Sequence, residues 1–267
     1  MKEIFSMWKY NTMVALTVLC AGIYMLFLLP SKSVQIIPGI TEIRPATLLP
    51  VLFGLLLGPA GAWGSAIGNL GGDFFGTLSA GSFFGFIGNF MYAYIPYKLW
   101  RHIKLKHGED RSITVNSPRR LVQFGLISFI SSTACAVIIA WGLDLLKLAR
   151  FTSLSIIITL NNSVITLLLG PIVLPIIYSI VKKNKLLWTD IMHPIDIRKP
   201  STDKLYPLMI TAGSIGGLVS GLIACCLLSG QSIFNNAEST ASGSGSCITA
   251  LILLPFLIVL FYGSFNS

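Results

Sequence analysis

Charge is what this sequence has least of: Asp, Glu, Lys and Arg make up 11% of its 267 residues, and hydrophobic residues make up 54%. Soluble domains carry about 25% charged residues, so a chain this poor in them lacks the solvated groups to cover a globular surface. Histidine is scarcer still. His102, His107 and His193 all fall in basic segments without metal-ligand spacing, and no metal site is expected. The five cysteines (Cys20, Cys135, Cys225, Cys226 and Cys247) show no CxxC pairing and fall mostly in apolar runs. They read as small buried side chains rather than as a disulfide framework. A GxxxxGK[ST] phosphate loop is missing, so the chain has no nucleotide-hydrolysing motor of this type. No cofactor is expected. The net charge of +9 comes without an aromatic-basic recognition module, and nucleic acid is not an expected partner.

What is abundant is apolar sequence in lengths that suit a bilayer. Segments 11–30, 46–58, 59–77, 80–100, 120–147, 152–181, 206–229 and 247–264 read as helices, several of them long enough for a hydrocarbon core of roughly 30 Å. The expected fold class is an all-α polytopic integral membrane protein. Lys2 and Lys9 around the start of an apolar stretch have the outline of a signal peptide. The stretch from Met13 to Leu29 exceeds the roughly 7–15 residues of a signal core, however, and a retained first helix is expected. Gly58-Pro59 separates the second segment from the third, because glycine permits a tight turn and proline breaks the helical ladder. Segment 46–58 is short for a full crossing and is expected to be tilted or partly inserted, shielded by its neighbours.

Positive charge is distributed in blocks. Residues 98–120 hold seven Lys/Arg (98, 101, 104, 106, 111, 119, 120), residues 182–204 hold six (182, 183, 185, 198, 199, 204), and Gln231 to Ser246 hold none. Counting 46–58 and 59–77 as separate crossings puts both basic blocks on one side with Lys2 and Lys9, the side that the positive-inside tendency assigns to the cytoplasm. The expectation is a multi-pass protein of the cell membrane with both termini cytoplasmic. Its basic face would adjoin partner subunits or anionic lipid headgroups.

Polar residues inside the apolar runs fall in helical register. At about 3.6 residues per turn, Gly64, Gly68, Gly72 and Gly76 form one stripe, and Ser65, Asn69, Asp73 and Thr77 form the stripe beside it. This stripe and Gly213-Gly217-Gly221 read as seams where helix backbones approach closely. A buried carboxylate costs something like 2.5–3.5 kcal/mol on insertion scales unless it meets a partner or water. Asp73 is therefore either wet at the outer interface or part of a binding site. Ser82, Gly85, Asn89 and Tyr92 share a face of the fourth segment, and Ser155, Thr159, Asn162 and Thr166 share a face of the sixth. The pair Asn161-Asn162 lies about 15 Å along its helix at 1.5 Å per residue, where two amides need partners. Asp73, Asn89 and Asn162 all fall in the outer half, as a pocket open to the outside requires. The first loop, with Gln35, Glu42 and Arg44, is either a lid over that pocket or carries an ordinary exposed ion pair. Asp144 and Trp141 read as residues of the outer interface.

The stretches "RPATLLPVLFGLLLGPAGAWGSAIGNLGGDFFG" (44–76), "GSFFGFIGNFMYAYIPYKLW" (81–100) and "NNSVITLLLGPIVLPIIY" (161–178) resemble the substrate-binding S components of energy-coupling-factor (ECF) vitamin transporters. That family has a short second helix ending at a Gly-Pro turn, a glycine-rich third helix and a long first loop over the ligand. The resemblance implies a six-helix core over residues 1–182; the charge and apolar pattern place a basic cytoplasmic loop at 183–205 and an additional C-terminal helix pair at 206–267 after it. It also implies a membrane-embedded, high-affinity solute-binding subunit for uptake of a vitamin or related small metabolite. Its partners would be a transmembrane T subunit and two cytoplasmic ATPase subunits. By position the site maps onto Glu42, Arg44, Asn89, Asn161 and Asn162, with Asn69 and Asp73 joining them from the polar stripe. Two features depart from the family. Ala15 is followed four residues later by Leu19 where small residues commonly pair, and the C-terminal pair exceeds the usual six helices.

A second reading is a membrane sensor or scaffold that binds a ligand or partner without transport. Such modules normally lead into a cytoplasmic output domain, and none follows the last apolar segment before Ser267. An enzyme is not expected, since Asp73 and Asp144 are the acids placed within helices and no histidine accompanies them. The solute is expected to be neutral or weakly cationic and rich in hydrogen-bonding groups, such as a vitamin or a nucleobase-like precursor.

Overall fold

The computed structural model describes residues 2–31, 35–37, 41–42, 45–75, 78–103, 112–198, 203–228 and 247–267. A short helix α1 (Lys2–Ser6) and a 3-10 turn (Met7–Lys9) lead into α2 (Asn11–Ser31). Helices α3 (Leu48–Leu57), α4 (Pro59–Phe74), α5 (Ser82–Arg101), α6 (Pro118–Leu145) and α7 (Phe151–Lys183) follow. A single turn of helix, α8 (Trp188–Ile191), precedes α9 (Leu205–Thr211), which runs through a π-helical turn (Ala212–Gly216) into α10 (Gly217–Leu228). Helix α11 (Cys247–Asn266) closes the bundle. Five of these stretches are long and apolar enough to cross a membrane, and the chain is an all-α polytopic membrane protein. The first loop adds a short antiparallel ladder of β1 (Gln35–Ile37) and β2 (Thr41–Glu42), with Gln35 opposite Glu42.

The turn between α3 and α4 follows from local chemistry. Gly58 adopts φ +57°, a left-handed conformation that costs glycine little, and its N–H still bonds to the carbonyl of Gly54 at 3.0 Å. Pro59 then occupies the first helical position, where its missing N–H loses nothing. Helix α3 has only ten residues, about 15 Å at 1.5 Å per residue, against a core of roughly 30 Å. Every one of those residues is buried. The helix is too short to cross such a core unaided, and protein shields it on all sides.

Glycine contact holds α4 against α2. A Cβ at Gly68 would lie 2.7 Å from the carbonyl oxygen of Ala21, and one at Gly64 would strike the Cβ of Cys20. The stripe is a close-packed seam. The C-terminal pair packs on the outside of the core, with α10 against α6 and α7 and with α11 against α5, α6 and α9. A Cβ at Gly213 would lie 2.7 Å from Leu260 on α11, so the second glycine series is also a seam.

Two residues read as lying at the outer interface are tied into the bundle instead. Asp144 is 3% exposed, and its Oδ1 accepts the backbone N–H of Phe151 at 3.3 Å, closing the α6–α7 turn. Carboxylates favour this position because the first N–H groups of a helix lack intrahelical partners. Trp141 donates its indole N–H to the carbonyl of Ala250 on α11 at 3.2 Å.

Both basic segments and both terminal segments meet at one end. Lys2 Nζ donates to the carbonyl of Ile195 at 3.0 Å, and Tyr10 OH donates to Asp196 Oδ2 at 2.8 Å. Glu3, fully buried, accepts from Lys98 Nζ at 2.5 Å, from Tyr94 OH at 3.2 Å and from the backbone N–H of Arg198 at 2.8 Å. Lys98 also donates to the carbonyl of Ser267 at 2.6 Å. Burial alone would raise the Glu3 carboxyl, but Lys98, Arg101 and the Arg198 N–H together hold it below the ordinary carboxylate value.

Candidate functional site

At the opposite end from the basic segments, a cavity of about 260 Å³ opens between α2, α4, α5, α6 and α7. Its polar side is built by Asn69 and Asp73 from α4, Ser82 and Asn89 from α5, and Asn161 and Asn162 from α7. The same cavity is also lined by apolar side chains, Ile139 and Leu143 of α6 with Leu154, Ile157 and Ile158 of α7. Amides mixed with branched aliphatic side chains suit a solute with hydrogen-bonding edges and apolar faces.

The local sequence explains the geometry. Asn69 and Asp73 stand one helical turn apart, so both point to one side of α4. Across from them, Gly85 leaves the room their side chains need. A Cβ there would lie 2.9 Å from Asn69 Nδ2 and 3.8 Å from Asp73 Oδ2. Asn89 is fixed at both ends of its amide: Tyr24 OH donates to its Oδ1 at 2.8 Å, and its Nδ2 donates to the carbonyl of Gly85 at 2.9 Å. Each end keeps a further hydrogen-bonding position, since a carbonyl oxygen accepts twice and an NH2 donates twice.

Beneath this layer lies a second one. Tyr92, wholly buried, donates to the backbone carbonyl of Asn162 at 3.3 Å and shares a hydrogen bond with Thr166 Oγ1 at 3.0 Å. Ser132 Oγ on α6 reaches Tyr92 OH at 3.4 Å. The phenol thereby links α5, α6 and α7 directly under Asn162 and holds that part of the polar wall in place.

Of the expected site residues, Asn69, Asp73, Asn89, Asn161 and Asn162 line this one cavity. The backbone of Glu42 is in β2, opposite Gln35, and its side chain lies outside the described residues. Arg44 lies outside them too, as do Gly76 and Thr77. Tyr24, Thr47 and Cys135 line the cavity without having been expected. Tyr24 carried a signal: it is the one aromatic hydroxyl in the mostly apolar α2, on the buried side with Cys20 and Leu28. Among the described residues no group of three His, Cys, Asp or Glu side chains could hold a metal ion. Among the described lining residues Asp73 is the one carboxylate, set among amides and hydroxyls that can hydrogen-bond a solute.

Comparison with known proteins gives one match. A family model described as QueT transporter covers residues 14–179, a range that contains every described residue lining the cavity. No curated protein and no solved structure matches the chain.

Proposed function

The chain belongs to the QueT transporter family, an S-component family of ECF type, and on that premise we propose that the amide-lined cavity captures a queuosine precursor from outside the cell. Membership establishes the coarser role of a membrane-embedded S component of a micronutrient transporter. The finer reading rests on one observation, the convergence of Asn69, Asn89, Asn161 and Asn162 with Asp73 in one cavity that Ile139, Leu143, Ile157 and Ile158 also line. A guanine-like fused-ring base alternates donors and acceptors along its edge, which amides match, and its faces are apolar enough to lie on Ile157 and Ile158. The volume, about 260 Å³, is just below the roughly 300–1,000 Å³ of most small-molecule sites and suits a base better than a nucleotide.

In this reading the end holding the basic segments is cytoplasmic, both described terminal segments lie there, and the cavity opens outward. A transmembrane T subunit and cytoplasmic ATPases supply the energy, because binding alone cannot drive accumulation.

Equilibrium binding of a labelled queuosine-precursor base to the purified protein tests the reading. Tight one-to-one binding that is lost in Asn162→Leu supports it. No binding of any such base, or binding untouched by Asn162→Leu and Asp73→Asn in folded protein, overturns the assignment of the site. Co-purification from native membranes tests the coupling separately, and recovery without T subunit or ATPase counts against it.

A further inference from the structure

A groove of about 220 Å³ lies between α1, α4, α5 and α11, and it shares no described lining residue with the solute cavity. Its described walls are apolar throughout, with rings from Phe5, Trp63, Phe90, Phe261 and Phe265 among them. Trp63 stands one turn beyond Pro59 and carries the one polar side-chain atom of these walls. That indole N–H donates to the carbonyl of Ile4 at 3.1 Å, so the ring offers only carbon to the groove and ties α1 to α4. The rings also hold one another. Trp63 meets Phe90 edge-on at 5.1 Å and Trp8 at 5.8 Å, and Phe261 stacks on Phe265 at 6.0 Å. Packed rings of this kind keep the slot open without rearrangement.

Size and charge together select an occupant. A helix with its side chains is about 10–12 Å across and cannot enter a slot of this volume, whereas a single hydrocarbon chain can. At the basic end the slot finishes against α1, where Phe5 and Trp8 are both exposed and mark the level of a membrane interface. Lys2 and Lys9 flank these two residues and are exposed as well. Lys2 gives one of its three N–H groups to the carbonyl of Ile195, and Lys9 takes part in no hydrogen bond or ion pair among the described residues. An apolar slot that ends at two ammonium groups complements a molecule that is hydrocarbon along its length and anionic at one end.

We propose that this groove seats one acyl chain of an anionic phospholipid from the leaflet at the basic end, with the lipid phosphate held by Lys2 and Lys9. The chain fills the gap between α1 and α11 and so joins the two ends of the described chain. The site depends neither on the identity of the solute nor on the coupling subunits.

Tryptophan fluorescence of the full-length protein in phosphatidylcholine vesicles tests this, with phosphatidylglycerol or phosphatidylcholine carrying brominated acyl chains added at equal mole fractions. Bromine quenches an indole only at close range, and Trp63 lies on the groove wall. Brominated phosphatidylglycerol is expected to quench saturably and at a several-fold lower mole fraction than brominated phosphatidylcholine. The saturable part should be lost in Trp63→Phe. The preference for phosphatidylglycerol should be lost in the double variant Lys2→Gln, Lys9→Gln, whose exposed positions keep the test decisive even if Trp63→Phe fails to fold. Equal quenching by the two lipids, an unchanged preference in the lysine variant, or saturable quenching that persists in full in folded Trp63→Phe overturns the proposal. Native mass spectrometry that finds a lipid-free dimer also overturns it, because a second copy then covers the groove.

Discussion

Glu3 and Lys98 meet at 2.5 Å with 0% and 1% of their side chains exposed, an ion pair buried inside the basic end of the bundle. It joins a segment preceding the first long helix to the end of α5. Through Lys98 it also reaches the carbonyl of Ser267 beyond α11. One carboxylate thereby fastens the entry, the middle and the far end of the described chain.

Breaking one side of this pair should cost more than removing both. Glu3→Ala leaves the Lys98 ammonium buried without its counter-ion, and a loss of about 3–5 kcal/mol is expected. The double variant Glu3→Leu, Lys98→Met should recover most of it. Thermal unfolding of the detergent-purified proteins checks both, and additivity of Glu3→Leu and Lys98→Met, each made singly, in the double variant would show that the pair is not coupled.

Acid should loosen the same end. The Glu3 carboxyl is held below its ordinary value of 4.5, so its contribution to stability is complete above that pH and is lost as pH falls through the lower folded value. The unfolding temperature of wild type and Glu3→Gln, followed from neutral pH downward, should therefore differ by a constant amount until the pH drops below that range. A gap that closes near neutral pH would contradict the assignment.

Gly85→Ala should impair solute capture without loosening the fold. The added methyl would stand 2.9 Å from Asn69 Nδ2 and force that amide away. Displacing one good hydrogen bond is worth about 0.5–1.5 kcal/mol, or an affinity loss of up to about tenfold. Solute titration compared with the unfolding temperature separates a site effect from a packing effect.

Tyr24→Phe removes only the hydroxyl that holds Asn89 Oδ1 at 2.8 Å. The amide then has freedom to rotate, and the solute should bind several-fold more weakly, in line with about 1 kcal/mol for a neutral hydrogen bond. Binding unchanged in Tyr24→Phe but lost in Asn89→Leu would mean that Asn89 acts without this support.

The parts legible in the sequence are those with a local signature. Helix ends followed apolar run length, the Gly58-Pro59 turn followed backbone chemistry, and Asn161-Asn162 stood out because amides are rare in such surroundings. Glu3 had no such signature. A single acid between Lys2 and Lys9 reads as ordinary membrane flank, and its partner lies 95 positions away in what reads as a basic loop. Asp144 misled for a related reason: an acid near a helix end looks solvated until the following helix turns back onto it. Trp188 was equally unreadable, since its ring packs against the distant α3–α4 turn, where a Cβ on Gly58 would meet it at 3.0 Å.

The shortness of α3 makes it a post set inside the protein. Thr47, at its entry, lines the polar cavity, and the ten residues that follow, to Leu57, are all covered by neighbouring helices. About 15 Å of apolar helix therefore turns no side to lipid, and a change of side-chain size anywhere along it is felt by packed protein rather than absorbed by the bilayer.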